Sequence, residues 1–203
     1  ILDLIILNVR KFTQKISKLG VVLNLLLFIA KFSIGLISGS IAIFSDALNS
    51  FMDVLSSIGV FIAVKISDKK PDLDHPFGHH RAEPIAGLIV AVLVCVFGIE
   101  IMLNAVTGFF NPQKSSLSIV AISILVLTII IKFFMSVYFL YVGKKFNSPA
   151  LKASGIDSRS DVLVSSLALI SVVFSMSGFP EMEYIGALVI GVVIIYSGYK
   201  IGS

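Results

Sequence analysis

Ser45-Asp46-Ala47-Leu48-Asn49-Ser50-Phe51-Met52-Asp53 sets carboxylates and an amide inside an otherwise apolar segment. Asn49 and Asp53 are four positions apart, so on a helix they project from one face, one turn above the other. Asp46 falls near the same face. The apolar-rich residues around this group number about eighteen, enough to cross a bilayer. An ionisable side chain at such depth is costly and needs a partner, water or an ion. Asp157-Ser158-Arg159-Ser160-Asp161 repeats the four-residue spacing in another apolar segment. The expectation is that the two pairs face each other across a helix interface and hold a divalent cation.

Composition supports the same class. Of 203 residues, 57% are hydrophobic and 14% are charged, and the mean hydropathy is +1.02. A soluble domain carries about a quarter charged residues, so this is an integral membrane protein. The apolar runs reach about twenty residues or more without period-2 alternation, which favours helices over an outer-membrane barrel. A lone cysteine, Cys95, excludes a disulfide framework within the chain. The sequence starts at Ile1 and stops after Lys200-Ile201-Gly202-Ser203, so it reads as a piece of a longer protein.

Along the chain, residues 1–18 interleave Leu2, Ile5, Ile6, Val9 and Phe12 with Arg10, Lys11, Lys15 and Lys18. That pattern suits an amphipathic interfacial helix leading into the bilayer. The basic residues follow the apolar run, unlike those of a secretory signal. Spans are expected at 19–38, 41–67, 84–110, 117–143, 149–177 and 184–200, forming an all-α membrane domain of six transmembrane helices over residues 19–203. Ser38-Gly39-Ser40 leaves only a turn between the first two spans. Pro149 is well placed at the start of the fifth.

Charge orients the spans. With the N-terminus inside, the cytoplasmic segments collect Arg10, Lys11, Lys15, Lys18, Lys65, Lys69, Lys70, Arg81, Lys144, Lys145, Lys152 and Lys200, and the outer turns only Lys114. The positive-inside rule then puts both termini in the cytoplasm. The basic balance is topological and implies no nucleic-acid partner. Asp53 is about twelve residues from the outer end of its span, roughly 18 Å at about 1.5 Å per residue. Asp161 is similarly far from the inner end of its own, so both are expected near the midplane.

These residues carry a resemblance. The chain looks like the transmembrane domain of the cation diffusion facilitator family, on SDALNSFMD in the second span, DHPFGHHRAEPIAGL after it, and SGIDSRSDVLVSS in the fifth. The resemblance covers all six spans. It implies a bacterial cytoplasmic-membrane homodimer that exports divalent metal, commonly in exchange for protons. It implies a transport site at Asn49, Asp53, Asp157 and Asp161, and a cytoplasmic C-terminal domain that this chain lacks. Zinc-carrying members usually have His at the position of Asp157, which this chain does not.

Ligand chemistry bears on the metal independently. Zinc favours imidazole and thiolate, whereas three carboxylates and an amide carbonyl offer only oxygen and suit harder ions. The same four residue types resemble the manganese-exporting group. Mn²⁺ is therefore expected ahead of Fe²⁺ and Zn²⁺ as substrate, with no prosthetic group. Crowded carboxylates in a low-dielectric cleft hold protons that a bound metal expels, which provides for exchange.

Other residues leave alternatives open. By resemblance, Asp72, His75 and His79 match a secondary zinc site of some relatives; the competing reading is a structural loop with solvated or hydrogen-bonded histidines. His80 has no assignable role. Arg81 resembles a basic residue that ties the membrane domain to the cytoplasmic one. Lys31 and Glu100 are expected to form a structural ion pair, with Lys132 snorkelling or neutralising Glu100 instead. Arg159 points about 200° away from its flanking aspartates and is not expected in the site. Gly35 with Gly39, and Ala187 with Gly191, read as small-residue packing surfaces. Two other function classes fit less well. An intramembrane aspartyl protease needs two embedded Asp, but the chain has no Gly-x-Gly-Asp. A non-transporting metal sensor would bind the ion without flux.

Overall fold

Three tight turns, each containing a residue in the left-handed region, fold the chain back on itself. These are Gly39 (φ 64°), Asn147 (φ 48°) and Gly178 (φ 104°). A left-handed residue just past a helix redirects the chain while satisfying terminal carbonyls, and glycine and asparagine adopt it most readily. The computed structural model describes residues 2–67, 82–112 and 119–202. Its helices are α1 (Leu2–Ser38), α2 (Ile41–Ser67), α3 (Ala82–Phe110), α4 (Ile119–Lys145), α5 (Pro149–Met176) and α6 (Glu181–Gly202). Each contains most or all of an expected span, α1 beginning well before its own, and there is no strand among the described residues.

Five of these helices contain stretches long and apolar enough to cross a membrane: Lys18–Ser38, Gly87–Phe110, Ile119–Lys145, Leu151–Met176 and Glu181–Ile201. The other, α2, has 27 residues, as many as α4, and carries Asp46, Asn49 and Asp53. Residues 2–17 continue the first span as one helix, so α1 is 37 residues long. The protein is a multi-pass integral membrane protein.

Helix α2 sits in the middle of the bundle, packed against α1, α3, α5 and α6, while α3 lies along α6 and α4 along α5. Ala42, Ile43, Val94, Leu125, Ala168, Val172, Ile190 and Ile194 form the shared core. Leu26, Leu36, Phe134, Leu163 and Tyr196 are exposed on the outside of the bundle, as a lipid-facing surface requires. The two small-residue pairs behave differently. Gly35 packs against the backbone of Phe44, but Gly39 has open space around it and serves as the turn. Gly191 faces Gly98 across α3 and α6, where a Cβ on Gly98 would lie 3.2 Å from the Gly191 carbonyl oxygen and 2.6 Å from Ile195 Cγ1.

The α1–α2 hairpin is closed by a buried ion pair. Lys31 Nζ donates to Asp46 Oδ1 at 3.0 Å, to Asp46 O at 3.2 Å and to Ser50 Oγ at 2.6 Å. Ser165 Oγ of α5 lies 3.0 Å from each Asp46 carboxylate oxygen. Lys31 and Asp46 are both 0% exposed. This corrects the expected Lys31–Glu100 pair. Glu100 is exposed and lines a cavity of about 140 Å³ with Ser45 and Asn104. Hairpin register explains the difference. Lys31 stands eight residues before Gly39 and Asp46 seven after it, so folding at the turn sets them at one level, whereas Glu100 stands on α3, which lies along α6.

Two stability outcomes follow. Gly98→Val should separate α3 from α6 and lower stability by about 1–3 kcal/mol, read as a lower thermal midpoint in detergent. Lys31→Met should cost about 3–5 kcal/mol by stranding a buried carboxylate. Adding Asp46→Asn should recover at least half of that loss in the same assay.

Candidate functional site

The site is set by how α4 and α5 enter and leave their turn. Ser148 caps α5 with extended backbone, its Oγ accepting from Leu151 N at 3.4 Å, and Pro149 opens the helix. Proline lacks the amide hydrogen that the first helical turn would leave unpaired anyway. Ser136 Oγ then donates to Gly155 O at 2.7 Å across the hairpin. This register brings Lys132 of α4 beside Asp161 of α5. Lys132 stands fifteen residues before Asn147 and Asp161 fourteen after it.

Asp161 is the hub. Its Oδ2 accepts from Lys132 Nζ in a short buried ion pair. Its Oδ1 accepts from Asn49 Nδ2 of α2 at 3.2 Å. Lys132 is 1% exposed, Asp161 5% and Asn49 8%. Asp53, one turn further along α2, is half-buried and interacts electrostatically with Asp161, Lys132 and Asp157. Asp157 is exposed and interacts with Asp161, Lys200 and Lys132.

Of the four residues singled out in the sequence, the structure joins Asn49 to Asp161 by a hydrogen bond, sets Asp53 in side-chain hydrogen-bonding range of Asp161, and keeps Asp157 in electrostatic range. Among the described residues no three His, Cys, Asp or Glu side chains are grouped closely enough to hold a metal ion. Lys132 already satisfies one Asp161 oxygen. Asp46 does not join this group, because Lys31 and Ser165 hold it in the layer one turn away. Asp72, His75 and His79 of the proposed loop site, with His80 and Arg81, lie outside the described residues. Arg159 is exposed. Cys95 packs towards α6, with Sγ 3.9 Å from Ile195 O.

Sequence reasoning missed two features here. Lys132 does not neutralise Glu100; it belongs to Asp161. The register arithmetic around Asn147 was the available signal. The second is Glu183, which reads as part of a polar outer turn but is 3% exposed. Ser175 Oγ donates to its Oε1 at 2.7 Å, and Ser40 Oγ donates to its Oε2 in a short hydrogen bond. It thereby ties the start of α6 to the α1–α2 turn and to the end of α5.

Carboxylates flanking a buried ammonium, with an amide completing the group, can receive a cation by exchanging one positive charge for another. Known proteins bear on that chemistry. The model of the cation efflux transmembrane domain matches residues 17–203. The manganese efflux system protein MneP of Bacillus subtilis is 34% identical over 173 residues, which is 83% of this chain and 57% of that protein. MneS of the same organism, also a manganese efflux system protein, is 32% identical over 177 residues, 87% of this chain and 61% of that protein. The magnetosome protein MamB of Magnetospira sp. is 32% identical over 168 residues, 83% of this chain and 57% of that protein. The chain thus spans about three-fifths of the length of these relatives. A match that runs through all six helices, with these identities, makes this chain a member of the cation efflux family of membrane transporters.

Proposed function

We propose that the protein exports Mn²⁺ from the cytoplasm in exchange for protons, through a site formed by Asn49, Asp53, Asp157 and Asp161. The observation that carries this reading is the contact of Asn49 with Asp161 between α2 and α5, deep in the bundle and beside Asp53 and Asp157. All four side chains offer oxygen and none offers imidazole or thiolate, which favours Mn²⁺ over Zn²⁺. Two relatives that carry manganese efflux in their names support the same metal. Affinity order alone would put zinc above manganese, so the preference has to come from donor type and geometry.

Exchange for protons follows from charge. When the metal leaves, carboxylates near one another in a low-dielectric space repel unless they take up protons. Without histidine among the four residues, the exchanged protons ride on carboxylates. The lysine and arginine distribution supports a cytoplasmic location for both termini, and the family resemblance supports a homodimer. Export then runs from the Lys144–Lys145 side of the bundle to the Gly39 side.

Proteoliposome flux of Mn²⁺, Fe²⁺ and Zn²⁺, with and without a pH gradient, tests the reading. Saturable Mn²⁺ flux that rises with an opposing proton gradient is expected. Binding without flux would make the protein a sensor, and the transport reading would be lost. Asp53→Ala should abolish flux and leave the thermal midpoint near wild type. Asp161→Ala should abolish flux and also lower the midpoint, because Lys132 then loses its counter-charge.

Selectivity gives a separate check. Asp157→His replaces a hard oxygen with the nitrogen donor that zinc prefers. The ratio of Mn²⁺ to Zn²⁺ uptake in one vesicle preparation should fall, even if total flux falls too. An unchanged ratio with flux retained would remove Asp157 from the selectivity argument.

A further inference from the structure

Lys132 has no place in the four-residue site, yet it makes the closest contact to that site's most buried carboxylate. Its ammonium donates to Asp161 Oδ2 while the amide of Asn49 donates to Oδ1. Both oxygens of Asp161 therefore already have donors from the protein itself. Lys132 is 1% exposed, and it reaches Asp161 from α4, whereas the proposed ligands all stand on α2 and α5. A divalent ion bound to Asp161 and an ammonium bound to the same carboxylate would repel each other at contact distance in a medium of low dielectric.

We propose that Lys132 is a tethered counter-cation that holds Asp161 in the metal-free protein and is displaced when a divalent ion binds. Binding of the ion and the Lys132–Asp161 contact are mutually exclusive. The device has two effects. It neutralises a buried carboxylate when no substrate is present, which a charge inside a membrane span requires. It also lowers the apparent affinity for the ion, because only molecules with Lys132 withdrawn are competent to bind. A carrier must release its substrate, and a built-in competitor speeds release without removing a ligand. The four-carbon stem of lysine gives the ammonium room to withdraw along α4.

This inference rests on the proposed transport site, and the test separates the two. Mn²⁺ and Zn²⁺ binding to the purified full chain in nanodiscs is measured by calorimetry. Thermal midpoints are recorded with and without metal, and flux is measured in proteoliposomes. The samples are wild type, Lys132→Met, Lys132→Gln and Lys132→Arg. If Lys132 occupies Asp161 about nine-tenths of the time, removing its charge should tighten binding about tenfold. Lys132→Met and Lys132→Gln should therefore lower Kd and KM together and lower the maximal flux. They should lower the metal-free midpoint and enlarge the stabilisation that metal gives. Lys132→Arg should keep wild-type affinity.

Lys132→Gln can still donate a hydrogen bond to Asp161, so it decides the matter if Lys132→Met does not fold. A purely structural lysine would lower the midpoint equally with and without metal and leave Kd unchanged, which overturns the proposal. Weaker binding in the neutral variants overturns it too. If wild type shows no saturable binding of either ion, the site reading falls and takes this inference with it. If wild type binds and the variants match it, only the inference falls.

Discussion

A charge buried among apolar helices must be paired, and the bundle is arranged to meet that constraint twice. A single Asp, Lys or Arg at the centre of a membrane helix costs about 2.5–3.5 kcal/mol on insertion scales. The helices here bury Lys31, Asp46, Lys132 and Asp161. Each lysine meets its aspartate across a short hairpin, Lys31 with Asp46 between α1 and α2, and Lys132 with Asp161 between α4 and α5. Two more contacts join the hairpins to each other. Ser165 of α5 donates to Asp46 of α2, and Asn49 of α2 donates to Asp161 of α5. Since Asn49 follows Asp46 by three residues and Ser165 follows Asp161 by four, the cross-links form two layers one helical turn apart.

The two layers share a design but differ in their surroundings. Asp46 is closed in, with both oxygens filled by Lys31 and Ser165 and no exposure. Nothing else acidic on α2 or α5 completes a ligand set around it. Asp161 has the same saturation, but Asp53 stands nearby and Asp157 is exposed. A sealed ion pair of this kind locks helices together, while one bordered by an exposed carboxylate is what the proposed cation exchange requires. The distinction lies in the neighbours, since the paired residue types are identical.

Much of the fold could be read from the sequence. The long apolar runs and their glycine, proline and serine punctuation located five helices and the end of α1 within a few residues, because hydrocarbon permits little besides helix. The start of α1 reads instead as a separate interfacial helix. The Ser148-Pro149 cap and the Ser38-Gly39-Ser40 turn were visible for the same reason. The candidate site was legible as residue types at helical spacing on α2 and α5, but its partners were not. Lys31, Glu100 and Lys132 all fall inside apolar runs, and matching them by depth alone gave the wrong pair. Lateral position within a bundle depends on which helices pack together, and periodicity along one helix says nothing about that. Glu183 was hidden by proximity to a turn, where an acidic residue is ordinarily solvated, yet Ser40 of the α1–α2 turn and Ser175 of α5 enclose it.

Exposure along the site carries the last step. Asp157 is exposed, Asp53 half-buried and Asp161 buried, so the acids form a gradient running inwards from the Lys200 end of the bundle. An ionised carboxylate in a membrane span does not face lipid; the exposed Asp157 therefore belongs at a wet cleft or against another protein surface. On the proposed transport reading, an ion arriving along such a cleft meets Asp157 while still largely hydrated and reaches Asp161 last. There the Lys132 ammonium, the competitor proposed above, stands where dehydration is most complete and Coulomb forces are strongest. Losing water in stages against successive carboxylates spreads a large desolvation cost over several small steps. The innermost step then exchanges one cation for another and avoids leaving a bare buried charge. That ordering explains why a lysine, which would repel a metal at the mouth of a site, is tolerable at its deepest point.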